Sequence, residues 1–355
     1  MRDTMGETNI VELYKKAFSA CLDQKQKLIN SSNQKKQLSE FIPFYEEDKS
    51  FYEEIKQSYD EWKASGEILI SAGLLKQLSD VYSALQDEES KNVFHWYIQS
   101  RIAFTILEDT DTAEQIYPYP TKNKKYTLAK LAAKKIKKEG NLFIIDGYSL
   151  DSELYLVSES WICETYLLEG KCEPKKGDII IDAGAYKGET AVWFADKTQG
   201  YGKVYSFEVL PSHVSAIERN IKINKLEESV QVIKKGLWDR NTTIRIIESG
   251  DATKCTPQEG QLEIEVITLD SFVKENDIKS VDFIKMDIEG AELKALKGSI
   301  DTIKTFKPKL AICVYHKYMD IVEIPLWLKS IVPEYKIYLG QKTPSPHSLV
   351  LYASI

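Results

Sequence analysis

The stretch IIIDAGAYKGET, residues 179–190, decides the fold class of this chain. It opens with three branched apolar residues, which are typical of a buried strand. Two glycines, Gly184 and Gly188, follow at a spacing that suits a tight turn, and the residues after Gly188 can open a helix. A strand, a turn and a helix N-terminus in succession predict a βα unit whose turn lets a ligand approach the backbone.

A second acid marks the end of the next predicted strand. Residues 203–208 read as that strand, and Glu208 is its last residue. In an open parallel sheet the carboxyl ends of the strands line the ligand crevice, where an acid suits the two hydroxyls of a ribose. Together with the turn, Glu208 predicts a nucleoside-bearing cofactor.

The glycine spacing distinguishes between such cofactors. The dinucleotide fingerprint G-x-G-x-x-G, with Gly184 as its middle glycine, places Asp182 and Lys187 where the outer glycines should stand, which disfavours a dehydrogenase. The pattern present, D-x-G-x-x-x-G, resembles motif I of class I S-adenosylmethionine (SAM) methyltransferases. An acid near the loop would take the cofactor's ammonium, and backbone N–H groups would take its carboxylate. The alternative is a turn without a ligand, in which Asp182 caps the helix.

Composition bounds the class of protein. The chain has 355 residues and a net charge of −7, so it permits one large or two ordinary domains and disfavours a nucleic-acid surface. The five cysteines are odd in number and include no CxxC pair, which indicates reduced thiols and no zinc site. We find no leader-like N-terminus and no apolar run of membrane-spanning length. We therefore expect a cytoplasmic protein with neither a nucleic-acid nor a membrane partner.

The chain divides into two predicted parts. Residues 1–125 read as a helical N-terminal region, and residues 126–355 as the main α/β domain. Residues 115–130, which contain Pro118, Pro120 and a lysine cluster, read as the connector between them. We expect the helices to cover part of the acceptor pocket or to form a homo-oligomer, because amphipathic helices must bury their apolar faces. The apolar positions at helical spacing are Val11, Tyr14, Phe18, Cys21 and Leu22, then Leu74, Leu78, Val81 and Leu85, then Val93, Phe94, Tyr97, Ile98 and Ile102.

Strands and helices alternate from residue 178 onward, which predicts a parallel sheet with helices on both faces. Segments 242–248 and 262–267 read as an inserted hairpin. The last two strands, near 335–339 and 348–353, are joined by a loop too short for a parallel crossover, so they must pair antiparallel. This arrangement is the Rossmann-like shape of the class I methyltransferases. The other strands are expected near 178–183, 203–208, 229–234, 281–286 and 309–315, and the helices near 188–197, 211–224, 269–276, 290–304 and 319–331.

A second signature, DFIKMDIEGAE at residues 282–292, places Lys285 and Asp287 on one side of a strand and Glu289 in the turn after it. With the motifs already described, the chain resembles the FkbM family of SAM-dependent methyltransferases over residues 160–355. Val209 stands where that family usually has proline, a change that affects only the turn after Glu208. The remaining motifs that carry the resemblance are Phe207-Glu208-x-x-Pro211, Asn220-x-x-x-Asn224 and Lys307-Pro308.

The resemblance implies SAM as cofactor and O-methylation of a sugar or of another small-molecule hydroxyl. Methyl transfer needs alignment of acceptor, methyl and sulfur, together with a base for the hydroxyl proton. The candidate catalytic residues are Asp287, His316 and Glu289. The candidate cofactor-binding residues are Asp182, Gly184, Ala185, Tyr186, Gly188, Thr190, Glu208, Gly236, Leu237 and Asp287.

Structural roles remain open for several of these residues. His316 is either a base, with activity rising through a pH near ~6.5, or a packing residue. Lys285 and Asp287 could form a buried ion pair, and Glu289 could serve the helix dipole. The segment 164–166 could cover the methyl group or form an ordinary amphipathic helix, and Trp238 could touch the adenine or lie in the core. We predict no metal.

Two rival functions follow from the same fold. A nucleic-acid methyltransferase is disfavoured because the chain has neither an N/D-P-P-Y/F run nor a Pro-Cys pair. A catalytically silent binding or assembly module is disfavoured because a silent copy need not keep Asp182, Gly184, Gly188 and Glu208. The identity of the acceptor is not encoded in any motif.

Overall fold

The computed structural model describes residues 16–17, 19–21, 23–24, 74–107, 110–121, 125–249, 252–255, 260, 262–345 and 347–355. The predicted helical positions Val11, Tyr14, Phe18 and Leu22 lie outside these residues. The chain divides into two compact units. The first comprises Met1–Pro120 with Lys317–Val322, and the second comprises Thr121–His316 with Glu323–Ile355.

The described part of the first unit is helical. Residues 16–17, 19–21 and 23–24 are helical, and they are followed by α1 (Leu75–Ala84), α2 (Glu88–Leu107) and α3 (Thr110–Ile116). Helix α2 begins after Asp87, whose carboxylate caps the helix by accepting the Ser90 N–H at 2.7 Å. Leu74, which precedes α1, is half-buried, and the other apolar positions predicted for α1 and α2 are buried, including Leu78, Val81, Phe94, Tyr97, Ile98 and Ile102.

The second unit opens with elements that the sequence only partly predicts. A helix, α4 (Lys125–Lys135), occupies the region read as a connector. Three short strands follow in antiparallel order: β1 (Lys137–Glu139), β2 (Leu142–Ile145) and β3 (Tyr148–Leu150). Helix α5 (Leu154–Trp161) then leads to the main sheet.

The main sheet has seven strands in the order β13-β14-β12-β11-β4-β5-β6. Strand β14 is antiparallel to both neighbours, and all other pairs are parallel. This is the Rossmann-like class I methyltransferase architecture, so the predicted fold class is confirmed. The strands are β4 (Ile179–Ala183), β5 (Lys203–Phe207), β6 (Val230–Ile233), β11 (Phe283–Met286), β12 (Lys309–Cys313), β13 (Lys336–Gln341) and β14 (Leu349–Ser354).

Helices cover the sheet close to the predicted positions, with one difference. The helix predicted at 290–304 is two helices, because the chain turns at Gly298, where a Cβ would lie 1.9 Å from the Trp238 carbonyl oxygen. No described helix is long and apolar enough to cross a membrane. The helices of the second unit's sheet are α6 (Glu189–Lys197), α7 (Pro211–Ile223), α8 (Leu269–Glu275), α9 (Glu292–Lys297), α10 (Ile300–Phe306) and α11 (Asp320–Ile331).

A second, four-stranded sheet is inserted between β6 and α8. Its strands are β7 (Gly236–Leu237), β8 (Thr242–Ser249), β9 (Ala252–Cys255) and β10 (Leu262–Ile267). The predicted hairpin is confirmed, since β8 and β10 pair antiparallel; β9 pairs with the other edge of β8.

Asn220 on α7 and Asn224, the residue after its last, hold the backbone that precedes α5 and the turn after β4. The Asn220 amide donates to the carbonyls of Lys187 and Asp151 at 2.7 and 3.2 Å and accepts from the Asp151 N–H. Asn224 bonds both backbone groups of Ser149 in the same way. The Asn220-x-x-x-Asn224 motif therefore holds the backbone around the turn after β4.

Candidate functional site

The turn after β4 is held by backbone bonds to the neighbouring strand. The N–H groups of Gly184 and Ala185 both donate to the Phe207 carbonyl, at 3.0 and 3.2 Å, and Gly188 N–H donates to the Ala185 carbonyl at 2.7 Å. Tyr186 has a positive φ of 47° and directs its N–H to Glu208 Oε2 at 3.0 Å. Four N–H groups of the turn thus donate to acceptors within the protein. The predicted binding of the cofactor's carboxylate by backbone N–H groups therefore requires donors other than these four.

Gly184 is required by the protein itself. Its φ is +77°, and a Cβ built on it would lie 1.8 Å from the backbone carbonyl oxygen of Asp287. At Gly188, with φ +90°, a Cβ would lie 3.1 Å from the Ile217 side chain, where α6 packs on α7. The glycines therefore permit close backbone packing, whereas the sequence predicted that they make room for a ligand.

Glu208 is buried at the end of β5 and organises the loop beyond it. Its Oε1 accepts the N–H groups of Val209 and Leu210 at 2.6 and 3.0 Å, and its Oε2 accepts that of Tyr186. His213 Nδ1 lies 3.8 Å from Oε2. Because each carboxylate oxygen has two lone pairs, one acceptor position on Oε2 is left for a ligand hydroxyl.

Asp182 and Lys285 form a buried ion pair across neighbouring strands. Lys285 Nζ lies 3.3 Å from Asp182 Oδ1 and donates to the carbonyls of Ala183 and Gly184 at 3.2 and 2.5 Å. The sequence suggested Asp287 as the partner, but the strand register places Lys285 directly beside Asp182. Burial alone would lower the pKa of Lys285, but the carboxylates of Asp182 and Asp287 outweigh it and hold the pKa above its ordinary value.

Thr190 contributes to the site through Asp182. Its hydroxyl donates to Asp182 Oδ2 at 2.9 Å, and Ser206 contacts the same oxygen at 3.5 Å. Asp182 is fully buried, so its carboxylate holds the turn and the helix start together. This resembles the alternative in which Asp182 caps the helix, except that Asp182 accepts from the Thr190 hydroxyl and not from a backbone N–H.

Asp287 follows β11 and is anchored by two tyrosines. Tyr166 donates its hydroxyl to Oδ2 at 2.7 Å, and Tyr315 donates to Oδ1 at 2.9 Å. Burial would raise the pKa of Asp287, but the cations of His316 and Lys285 and the two phenol hydroxyls hold it below its ordinary value. Tyr166 lies beyond the end of α5, so of the two alternatives for 164–166 the amphipathic helix is excluded, and the segment is a loop that reaches Asp287.

His316 lies among three carboxylates. Its Nε2 is 3.4 Å from Asp287 Oδ1 and 3.6 Å from Glu289 Oε2, and its Nδ1 is 2.9 Å from Glu292 Oε1. Burial would lower the pKa of His316, but the carboxylates raise it to about 10. Without a bound ligand the carboxylates thus favour the protonated ring at neutral pH, and the role of His316 as a base stays a prediction.

Two further acids were not identified from the sequence. Burial, with Asp287 as a second cause, raises the pKa of Glu159 to about 8. Burial likewise raises the pKa of Glu189, the first residue of α6, to about 8, although Lys285 opposes the shift. Ser152 donates to Glu189 Oε2 at 3.2 Å. At neutral pH these two acids are therefore largely protonated, whereas Asp287 is ionised.

Residues 182–335 match the family model for the methyltransferase FkbM domain. The chain carries an FkbM methyltransferase domain. The match spans every strand-end residue described above, from Asp182 and Glu208 to Asp287 and His316. No curated protein matches the sequence.

A solved structure with a TM-score above 0.5 has a similar fold. An FkbM methyltransferase from Methylobacillus flagellatus is 20% identical with a TM-score of 0.53, over 79% of this chain and 60% of that one. This chain thus spans about 60% of that protein's length. A SAM-dependent O-methyltransferase from Thermotoga maritima is 16% identical (TM-score 0.35; 61% and 78% covered). Aeropyrum pernix fibrillarin, solved with bound SAM, is 12% identical (TM-score 0.38; 62% and 98% covered).

The predicted cofactor-binding residues Gly236 and Leu237 form β7 in the second sheet, and Leu237 is buried. A Cβ on Gly236 would lie 3.3 Å from the side chain of Val209, the residue after Glu208. Trp238 packs with Val266 and Ala291, which favours its core alternative. Sequence reasoning missed Tyr315 and Glu292, although each stands within the same short motif as a predicted residue.

Proposed function

We propose that the chain binds SAM at the carboxyl ends of β4, β5 and β11 and transfers its methyl group to a hydroxyl of a sugar or another small molecule. One observation carries the proposal. The turn after β4 is fastened to Glu208 on one side through the Tyr186 N–H, and lies against the Asp287 backbone on the other. A candidate ribose acceptor and a candidate reaction-side acid thus flank a single tight turn.

The residues present fit a SAM-like cofactor in acceptor capacity and in charge. Glu208 Oε2 keeps one acceptor position for a ribose hydroxyl, so we expect one hydrogen bond from the diol to this oxygen. SAM carries a sulfonium and an ammonium cation, and the site offers the Asp287 carboxylate, whose pKa is held below its ordinary value. Burial keeps Glu159 and Glu189 largely protonated at neutral pH, and a bound cation would favour their ionisation. Lys285 is engaged by Asp182 and two carbonyls.

When bound, SAM supplies an electrophilic methyl group. The chain's main contribution to transfer is to align the acceptor oxygen with the methyl group and the sulfur. Holding two reactants in the right geometry can by itself supply a large part of the rate enhancement. Asp287 is held rigidly because Tyr166 and Tyr315 donate to opposite oxygens of its carboxylate. Its remaining lone pairs can orient an acceptor hydroxyl. His316 and Glu289 stand beside it as further candidates for contact with the acceptor.

The proposal is tested with methyl-labelled SAM and pools of small hydroxyl compounds and glycans. We expect label in a product whose methyl carbon has the NMR shift of a methyl ether. Glu208→Gln should raise the KM for SAM about tenfold or more, because hydrogen bonds to charged groups contribute about 1.5–3 kcal/mol. Glu227→Gln is the matched control, since Glu227 is exposed. Label found only on nitrogen would contradict O-methylation, and SAM binding without transfer to any pool would favour the silent module.

A further inference from the structure

A compact cluster of metal-ligand types lies beside Asp287. One ligand atom from each of Asp287, Glu292 and His316 lies within 4.8 Å of the other two. The closest approach is 2.9 Å, between His316 Nδ1 and Glu292 Oε1. Two ligand atoms bound at about 2.1 Å to one cation, at right angles, stand about 3 Å apart. The His316–Glu292 pair therefore has the spacing of adjacent ligands in a coordination shell, and small side-chain movements would bring the Asp287 oxygen to the same ion.

A buried oxygen in the cluster lacks a partner. Glu292 is fully buried, and its Oε1 accepts the Ile288 N–H at 2.8 Å. Its Oε2 has no hydrogen-bond partner among the described residues, and His316 Nδ1 is close to Oε1 without the alignment of a hydrogen bond. A buried polar atom without a partner costs free energy, and a bound ion is one of the few ways to satisfy it.

The carboxylates around His316 also favour a bound cation. Asp287, Glu289 and Glu292 all lie within 3.6 Å of the His316 ring nitrogens. The cations that act on these carboxylates are the His316 imidazolium and Lys285, and Lys285 is shared with Asp182, so two positive charges face four carboxylates. A divalent cation removes most of this excess, and carboxylates bound to a metal tolerate burial that free carboxylates do not.

We propose that Asp287, Glu292 and His316 bind one divalent cation of the first transition series, Mn²⁺ being the representative. A mixed set of two carboxylates and one imidazole suits such an ion better than Ca²⁺, which takes oxygen ligands only. Glu289 stands at the rim, with its side chain 40% exposed. Any use of the ion in catalysis rests on the proposed methyl transfer. The ion would bind the acceptor oxygen next to Asp287 and lower the pKa of its hydroxyl.

The binding test uses Mn²⁺ alone and the full chain. Free Mn²⁺ is followed by electron paramagnetic resonance during titration, and we expect one site per chain. Glu292→Gln and His316→Gln should each weaken binding at least about tenfold, since even indirect partners of a metal ligand cost that much when removed. Glu227→Gln should bind as the wild type does. Absence of binding at millimolar Mn²⁺, or equal binding by all four proteins, would overturn the proposal.

A second measurement on the unaltered protein guards against misfolding of the variants. The chain has four histidines, so imidazole NMR signals are few, and His316→Gln identifies the signal of His316. Zn²⁺, which is diamagnetic, should shift that signal and leave the other three in place. Zn²⁺ that moves a different histidine, or none, would refute the site. Mn²⁺ binding that persists while no methyl transfer is found would overturn the proposed function and leave the metal site standing.

Discussion

Lys285→Met tests whether the buried pair with Asp182 holds the cofactor turn. Methionine keeps the approximate length of lysine but has neither charge nor donor. The substitution leaves the fully buried Asp182 without its cation at 3.3 Å, and it leaves the Ala183 and Gly184 carbonyls without the lysine's hydrogen bonds. The carbonyl of Gly184 belongs to the turn, so the loss acts directly on the site.

The expected cost follows from this geometry. Removing one partner of a buried ion pair costs about 3–5 kcal/mol, because a charge is left buried without compensation. Thr190 still donates to Asp182, so we expect about 3 kcal/mol, at the lower end of that range. Adding Asp182→Asn removes the uncompensated charge, and the double variant should therefore lose less than ~2 kcal/mol.

The assay is urea unfolding followed by circular dichroism, together with SAM affinity. Lys234→Met is the matched control, because Lys234 pairs with Glu218 at 2.8 Å on an exposed face, with 64% and 50% of the two side chains accessible. That exposed pair should contribute below ~1 kcal/mol. If Lys285→Met costs no more than the control, or if the double variant is less stable than Lys285→Met alone, the account of the pair is refuted.

Three further predictions concern the same site. Burial raises the pKa of Glu189 from 4.5 to about 8, so the folded state binds more protons than the unfolded state between these values and stability falls as pH rises through them. Glu189→Gln should flatten that dependence in unfolding experiments from pH 4 to 9, and Glu227→Gln should not. Gly184→Ala should lower stability by more than Gly170→Ala, because both have positive φ but only Gly184 would bring a Cβ to 1.8 Å from a carbonyl oxygen; equal melting temperatures would contradict this. Tyr315→Phe should cost about 1.5–3 kcal/mol, the value of a hydrogen bond to a charged carboxylate, and an unchanged urea midpoint would argue against that bond.

Much of the fold was predictable because it follows from hydrophobic periodicity and loop length. Each strand of the main sheet falls within a few residues of its predicted position, and the antiparallel end follows from the short last loop. The split between α9 and α10 was not predictable, because it depends on the close approach of Gly298 to the Trp238 carbonyl, which are distant in sequence. Helix α4 was hidden by the prolines and lysines that suggested a connector.

The position of the site was predictable from the sequence, but the partners of its side chains were not. Glu208, Asp287 and His316 lie at strand ends, and the carboxyl ends of neighbouring parallel strands meet at one edge of a sheet. The partner of Lys285 depends on register, which pairs it with Asp182 across β4 and β11. Tyr315 was overlooked because an aromatic residue after a strand is usually a core residue, and only the folded loop shows its hydroxyl on Asp287.

The central claim, that the crevice beside Glu208 binds SAM, is tested most directly by calorimetric titration of SAM into the full chain. The account predicts one site with micromolar affinity in the wild type and in Glu227→Gln. In Glu208→Gln the affinity should fall by about 1.5–3 kcal/mol, with the melting temperature measured alongside to confirm folding. No heat of binding at millimolar SAM, or equal affinity in a folded Glu208→Gln, would contradict the claim.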